Sequence, residues 1–374
     1  MIPHMHFLLG FLIVIVVDIA ATTTSYESVD YQKAKNLTAD YCYARSYAEV
    51  PDIIKKCKYI VIVNFEVPAG NTLQLHLQKN SVLLIEGTIT FGVANWDGPL
   101  MDIAGENIQV IGGTNHLIHG KGEKYWDGHG GGGVKKPKRL MSINVHRGSF
   151  TNINIKNCPM FCVSIIGNDL TFSGFNIDLQ DGFKGGLAVN TDAMGFVYSD
   201  NILIKDSKIW NQDDCINVMA SKNAVIRNVH CWGSHGLSLS SGLSKTDENN
   251  DIHNITYEDC SIGGSLNGIH ILTMPSGGKG KISQITYRNI EIKEVTMRGI
   301  EFRQDYLDDG HPSNNIKIDG LTLENIHGTV TSGAVGVYIQ CGSGSCTNWN
   351  WSGVKMTGSK KKDVCNFHPE GYSC

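Results

Sequence analysis

The feature that most limits the fold is a ladder of apolar-x-apolar triplets. Met194-Gly195-Phe196, Ile216-Asn217-Val218, Leu237-Ser238-Leu239, Ile269-His270-Ile271 and Ile300-Glu301-Phe302 are successive rungs, and Val335-Gly336-Val337 fits a sixth. The first two steps, Met194 to Ile216 and Ile216 to Leu237, are 22 and 21 residues. Later steps are longer, as turns with insertions such as SKTDENNDIH require. Alternate residues of a strand face opposite sides, so the outer members of each triplet point into a core and the middle members point out. One coil cannot bury such a face alone; stacked coils can. Short β-branched runs recur beside the ladder: NIQVIG, NINIKN, NILIKD, NAVIRN, NITYED, QITYRN and NIKIDG. An antiparallel sandwich would show hairpin turns and no fixed register. The chain is therefore expected to be an all-β, single-domain, right-handed parallel β-helix. A short capping helix fits between Tyr41 and Lys58.

The chemistry falls on this register. Two residues upstream of each triplet the column reads Asp192, Asp214, His235, Asn267 and Arg298, and Asp213 precedes Asp214. In-register parallel strands lie about 4.8 Å apart. Three carboxylates and a histidine are thus stacked within two coil steps. Aspartate is common at coil corners, because its side chain caps turns. Like charges packed on adjacent coils, however, repel, and one pKa should rise. Stability alone gives little reason to collect them. A protonated carboxyl beside ionised ones is what glycoside hydrolysis needs.

Composition narrows the setting. Gly is plentiful (42) and Pro scarce (9), which suits many tight turns. The net charge of −4 gives no sign of nucleic-acid binding. An apolar run from Phe7 followed by small residues reads as a secretory signal peptide over residues 1–21, although its start lacks Lys or Arg and Asp18 interrupts it. Residues 22–374 would then be one exported catalytic β-helix with no membrane span. The 11 cysteines include near pairs that suit local disulfides, and the odd count leaves a thiol unpaired or bonded to another chain. No paired CxxC or HxxxH spacing points to zinc, so no metal and no cofactor is expected. Sequons at Asn36, Asn254 and Asn350 fit export.

The motifs NTDAMG from Asn190, NQDDC from Asn211, SHGLS from Ser234, QDY at Gln304–Tyr306 and GKGEKYWDG ending at Gly128 resemble the polygalacturonases, glycoside hydrolase family 28. The resemblance spans most of the mature chain. It implies endo-acting hydrolysis of α-1,4-galacturonosyl linkages in pectin (homogalacturonan) by single displacement with inversion. Asp213 would be the general acid. Asp192 and Asp214 would hold and activate water, and His235 would keep Asp213 in its working protonation state. Asn190, Gln212, His270, Arg303 and Tyr306 are the expected substrate-binding positions. The resemblance also implies disulfides Cys42–Cys57, Cys215–Cys231, Cys341–Cys346 and Cys365–Cys374. Cys158, Cys162 and Cys260 remain, with Cys158–Cys162 sterically possible. A monomer is expected, and a plant polygalacturonase-inhibiting protein is a conceivable partner.

Three departures bear on activity. The family's RIK becomes His270-Ile271-Leu272, the last Asp of its NTDGFD becomes Gly195, and its GHG becomes SHG with Ser234. Groups that would bind a sugar carboxylate are thereby depleted. His270 could serve as a cation in an acidic medium. Arg303, one coil on in the Leu272 column, either reaches a neighbouring subsite or makes a surface ion pair with Glu301 or Asp305. The substrate could instead be esterified or branched pectin. The alternative to an enzyme is a catalytically impaired, pectin-binding decoy. A calcium-dependent lyase is disfavoured, because no basic catalyst stands beside Asp213.

Overall fold

The computed structural model describes residues 40–308 and 310–374. The expected leader and the Asn36 sequon lie outside them. The described residues wind into one right-handed parallel β-helix, and every strand pairing among them is parallel. Each coil of the central part has a short strand and then a long one. The short strands Met194–Val197, Asp214–Met219, Gly236–Ser241, Asn267–Thr273 and Arg298–Arg303 form one face. The long strands, such as Asp200–Trp210 and Lys222–Trp232, wrap the remaining faces.

The ladder is the spine of this fold. Val163, Met194, Ile216, Leu237, Ile269, Ile300 and Val337 pair in register from coil to coil. All are fully buried. The last rung is Val337-Tyr338-Ile339, because Ile300 pairs with Val337 and Phe302 with Ile339. The triplet at Val335 is thus a two-residue slip. The run VGVYI alternates, so both registers satisfy the pattern.

Asparagine and aspartate turn the corners. Asp206, Asn228, Asp259, Asn289 and Asn325 adopt left-handed backbone at φ 51–54°, which these short polar side chains tolerate. Their side chains bond across coils, Asn228 to Asp206 at 2.7 Å and Asn289 to Asp259 at 2.9 Å. The N-terminal end is closed by a short helix, Val50–Lys56, with Pro51 in its first turn and Val50 and Ile54 turned inward. It lies inside the segment expected to hold a capping helix.

Five disulfides are present: Cys42–Cys57, Cys158–Cys162, Cys215–Cys231, Cys341–Cys346 and Cys365–Cys374. Cys260 is the unpaired one, and it is buried. Its burial pushes the thiol up to about 12 and leaves it unable to reach another chain. Cys215–Cys231 ties the strand that begins at Asp214 to the long strand leading into the turn before His235. Removing it with Cys215→Ala and Cys231→Ala should lower the unfolding free energy by about 3 kcal/mol. Chemical denaturation would read this as a lower midpoint with an equal or steeper slope, since the freed unfolded chain exposes more surface; an unchanged midpoint would show that the bridge does not constrain the coil.

Candidate active site

The short-strand face is the floor of the site. Its middle members point away from the core, yet Asn217, Ser238, His270 and Glu301 are buried. They are covered by one another and by the turns that flank the floor. Buried polar groups need partners; Ser238, His270 and Glu301 find them in the floor itself, and Asn217 does so through its Nδ2 alone, its buried Oδ1 having none.

Asp213 closes a turn built on Asn211, whose buried amide faces the carbonyls of Thr191, Asp213 and Asp214 at 2.8–2.9 Å. Asp213 Oδ1 accepts the Asp214 N–H at 2.8 Å and meets His235 Nδ1 at 3.2 Å. Asp213 Oδ2 accepts from Asn190 Nδ2 at 3.2 Å. His235 stands level with Asp213, not with Asp214 as a strict column would have it. Asp214 pairs with Gly236 and Ile216 with Leu237, so Cys215 is an extra residue, a bulge. The His235 N–H donates to Asp213 O at 2.7 Å. Gly236 follows at φ 122°, and a Cβ there would come 2.6 Å from the Gly268 carbonyl oxygen. That close approach explains the glycine after the histidine.

Asp214 is held from above and beside. Asn217 Nδ2 donates to Oδ2 at 2.7 Å, and Ser238 Oγ donates to Oδ1 at 2.6 Å. His270 Nδ1 lies 3.4 Å from Oδ1. Beneath the floor, the stacked core tyrosines Tyr257 and Tyr287, 4.8 Å apart, aim their hydroxyls at cleft-strand carbonyls. Tyr257 Oη is 2.9 Å from Ser238 O, and Tyr287 Oη is 3.3 Å from Leu237 O. These supports were not read from the sequence, where they are simply the Tyr of NITYED and QITYRN.

The protons are unevenly placed. Burial pushes Asp192 well above the usual carboxylate range, and the charges of Asp213 and Asp214 add to it. Burial also acts to raise Asp213. The hydrogen bond and charge of His235, the Asp214 N–H and Asn190 outweigh it and hold Asp213 below its ordinary value. Burial acts to lower His235, but Asp213, Asp214 and Glu301 bring it above 6.5. The sugar-free site thus favours a neutral Asp192 and an Asp213–His235 ion pair.

The other expected contacts divide. Asn190 bridges two parts of the site, because its Oδ1 accepts from Gly131 N–H at 3.1 Å. Asp127, of the GKGEKYWDG motif, holds that glycine-rich loop through the N–H groups of His129 and Val134 and through Lys136. Gln212 Oε1 accepts the Ala188 N–H at 2.8 Å and braces the loop before Asn190. Tyr306 is half-buried, and burial together with the charges of Asp213 and Asp214 raises its hydroxyl; the Arg303 guanidinium lies 5.7 Å from its ring centre. Its neighbours in QDY are structural: Gln304 Nε2 donates to Ile316 O at 2.7 Å, and Asp305 takes Arg303 and the Gly310 N–H.

His270 and Arg303 are not placed as cations open to a sugar. His270 is buried between two carboxylates, with Nε2 3.5 Å from Glu301 Oε2. Arg303 is buried rather than at the surface, with Nε 2.9 Å from Asp305 Oδ1 and NH1 3.8 Å from Glu301. The residue missed was Arg298. It pairs with Glu301 and stacks on Tyr338 with 3.9 Å to the ring centre. Its presence in the column of candidate positions was the available signal. Asp213, Asp214 and His235 offer ligand atoms within 4.8 Å of one another, but all four carboxylate oxygens already accept from protein donors.

A β-helix cleft floored by unequal carboxylates and a paired histidine is a site of the glycoside-hydrolysing class. The chain belongs to the glycosyl hydrolases family 28, whose model matches residues 57–374. It is 40% identical over 359 residues to a polygalacturonase of Phaedon cochleariae, covering 94% of this chain and 98% of that one. It is also 40% identical to endopolygalacturonase II of Aspergillus niger, covering 85% and 88%. Endopolygalacturonase I from Stereum purpureum, solved with two galacturonates, superposes with a TM-score of 0.80 at 28% identity over 87% of this chain and 96% of that one.

Asp192 gives a test of the electrostatics. Its folded pKa is raised, so the fold loses stability as pH climbs through that raised value. Asp192→Asn cannot ionise. The variant should match the native protein at low pH and grow more stable than it as pH rises. Melting temperatures across pH read this directly; a difference that does not change with pH would contradict a raised Asp192.

Proposed function

We propose that the protein is a secreted, pectin-degrading glycoside hydrolase that cleaves α-1,4-galacturonosyl linkages internally, by single displacement with inversion. The observation that carries this reading is the Asp213–His235 pair beside Asp192 and Asp214. Export is supported by the five disulfides, which form in oxidising compartments.

In this reading Asp213 protonates the glycosidic oxygen as the bond to the anomeric carbon breaks. Water held by Asp192 and Asp214 attacks the opposite face and gives its proton to the cluster. Because Asp192 is the carboxyl that keeps a proton, Asp214 is the acceptor. Asp213 obtains its own proton from His235, 3.2 Å away. Tyr306 contacts the sugar, and Asn190 positions Asp213.

Reducing-end release from polygalacturonate and from methyl-esterified pectin, between about pH 4 and 7, tests the activity. Asp213→Asn should lower kcat by roughly 100- to 10,000-fold. The alkaline limb should lie above the range of an ordinary histidine, because His235 is raised and the pair loses its proton only as pH climbs through that raised pKa. His235→Gln should remove that limb.

Arg298 and Arg303 are already paired with Glu301 and Asp305, and His270 is enclosed by Asp214 and Glu301. A sugar carboxylate therefore gains little there, and a charge-assisted contact is worth about 1.5–3 kcal/mol, roughly tenfold or more in rate. The two polymers should be cleaved with kcat/KM within about tenfold of each other. A preference for polygalacturonate beyond about a hundredfold would show that a cation remains available. The same pairing favours a second reading, a pectin binder with little turnover. Binding without reducing-end release from either polymer would select it.

A further inference from the structure

Outside the cleft, the long strands carry two outward rows in register. One runs Lys208, His230, Ser261, Glu291, and the other Trp210, Trp232, Gly263, Lys293. The residues between the rows, Ile209, Cys231, Ile262 and Ile292, are buried in the core. Both rows therefore share one outer face. Trp210 and Trp232 stand one coil apart on it, on strands about 4.8 Å apart along the solenoid.

Trp232 is 42% exposed, although a tryptophan usually buries its large apolar surface. Its ring folds over Gly263 and Gly264; a Cβ on Gly263 would lie 2.2 Å from it. The result is a shallow groove of about 350 Å³ with an indole floor and a lysine at either side, Lys208 and Lys293. Lys293 shares Glu291 at 2.9 Å, and His230 Nδ1 meets Ser261 Oγ at 2.8 Å. Burial and then Lys208 lower the His230 pKa, with Lys293 adding to this and Glu291 opposing it. Two lysines against one glutamate leave the rim positive.

We propose that Trp210, Trp232, Lys208 and Lys293 form an ancillary binding site for a stretch of anionic polysaccharide, separate from the catalytic cleft. The apolar face of a pyranose packs on an indole, while a carboxylate on the same ring reaches an ammonium at the rim. The two tryptophans also lead directly into the turns that carry Asp213 and His235, so the groove lies on the outer wall of the cleft. A polymer held on that wall stays at high effective concentration beside the cleft, a gain that short oligomers do not share. The choice of galacturonan as ligand rests on the proposed function; the platform itself does not.

The test is equilibrium binding in the Asp213→Asn background, which keeps the polymer intact, with polygalacturonate and a neutral galactan as probes. Trp232→Ala and Lys208→Gln should each weaken polygalacturonate binding roughly five- to tenfold. The galactan should bind more weakly than polygalacturonate and be insensitive to Lys208→Gln. Lys208→Gln removes only an exposed charge, so it decides the matter if Trp232→Ala fails to fold. Unchanged polygalacturonate affinity in Lys208→Gln and in any folded Trp232→Ala would overturn the site. Loss of binding in these variants with no hydrolysis by the native enzyme would keep the platform and reject the catalytic reading instead.

Discussion

Backbone pairing between successive coils is the constraint on which everything else rests. It holds each residue against its counterpart a coil away, so spacing in sequence becomes adjacency in space. The apolar column from Val163 to Val337 uses that adjacency to build a dry core. The same pairing forces Asp192, Asp213 and Asp214 together, where their charges oppose one another. A single coil could not tolerate this. The stack does, because Tyr257, Asn217, Ser238 and Asn211 brace the strands and turns that carry the acids.

The floor shows how a charged network can be complete without being available. His270 lies between the carboxylates of Asp214 and Glu301, and Glu301 lies between Arg298 and Arg303 on its own strand. Each buried charge has a partner, as the cost of desolvation requires. Removing one member would strand its neighbours, so the network is best read as a unit. It keeps the shape of the floor while offering little net charge to a ligand.

The solenoid was legible because period and alternation are properties of the chain itself. What failed was local register. Cys215 bulges, which moves His235 beside Asp213, and a bulge has no signature in a pattern of apolar triplets. The slip at Val335 has a different cause: the run VGVYI alternates, so two registers fit the apolar pattern equally well. The acids were found because their column is fixed by the strands that follow them. The roles given to His270 and Arg303 came from position alone. The pairing of Arg303 with Glu301 and Asp305 was legible in the sequence, although its burial was not; the contact of His270 with Glu301 on the next coil depends on rotamers rather than spacing.

The location of the proton connects the site to its chemistry. Without sugar, the Asp213–His235 pair is charged and partly open to water. A sugar over the cleft would remove that water. An ion pair loses more from desolvation than the neutral pair with the same hydrogen bond. In the proposed reaction, moving the proton from His235 Nδ1 to Asp213 would relieve the loss and leave a protonated acid beside the glycosidic oxygen. Asp192 cannot take this part, since its proton is held by burial and by two neighbouring charges. In that proposed reaction the arming of the acid would be coupled to the arrival of the substrate, and the coupling needs His235 level with Asp213, where the bulge at Cys215 puts it.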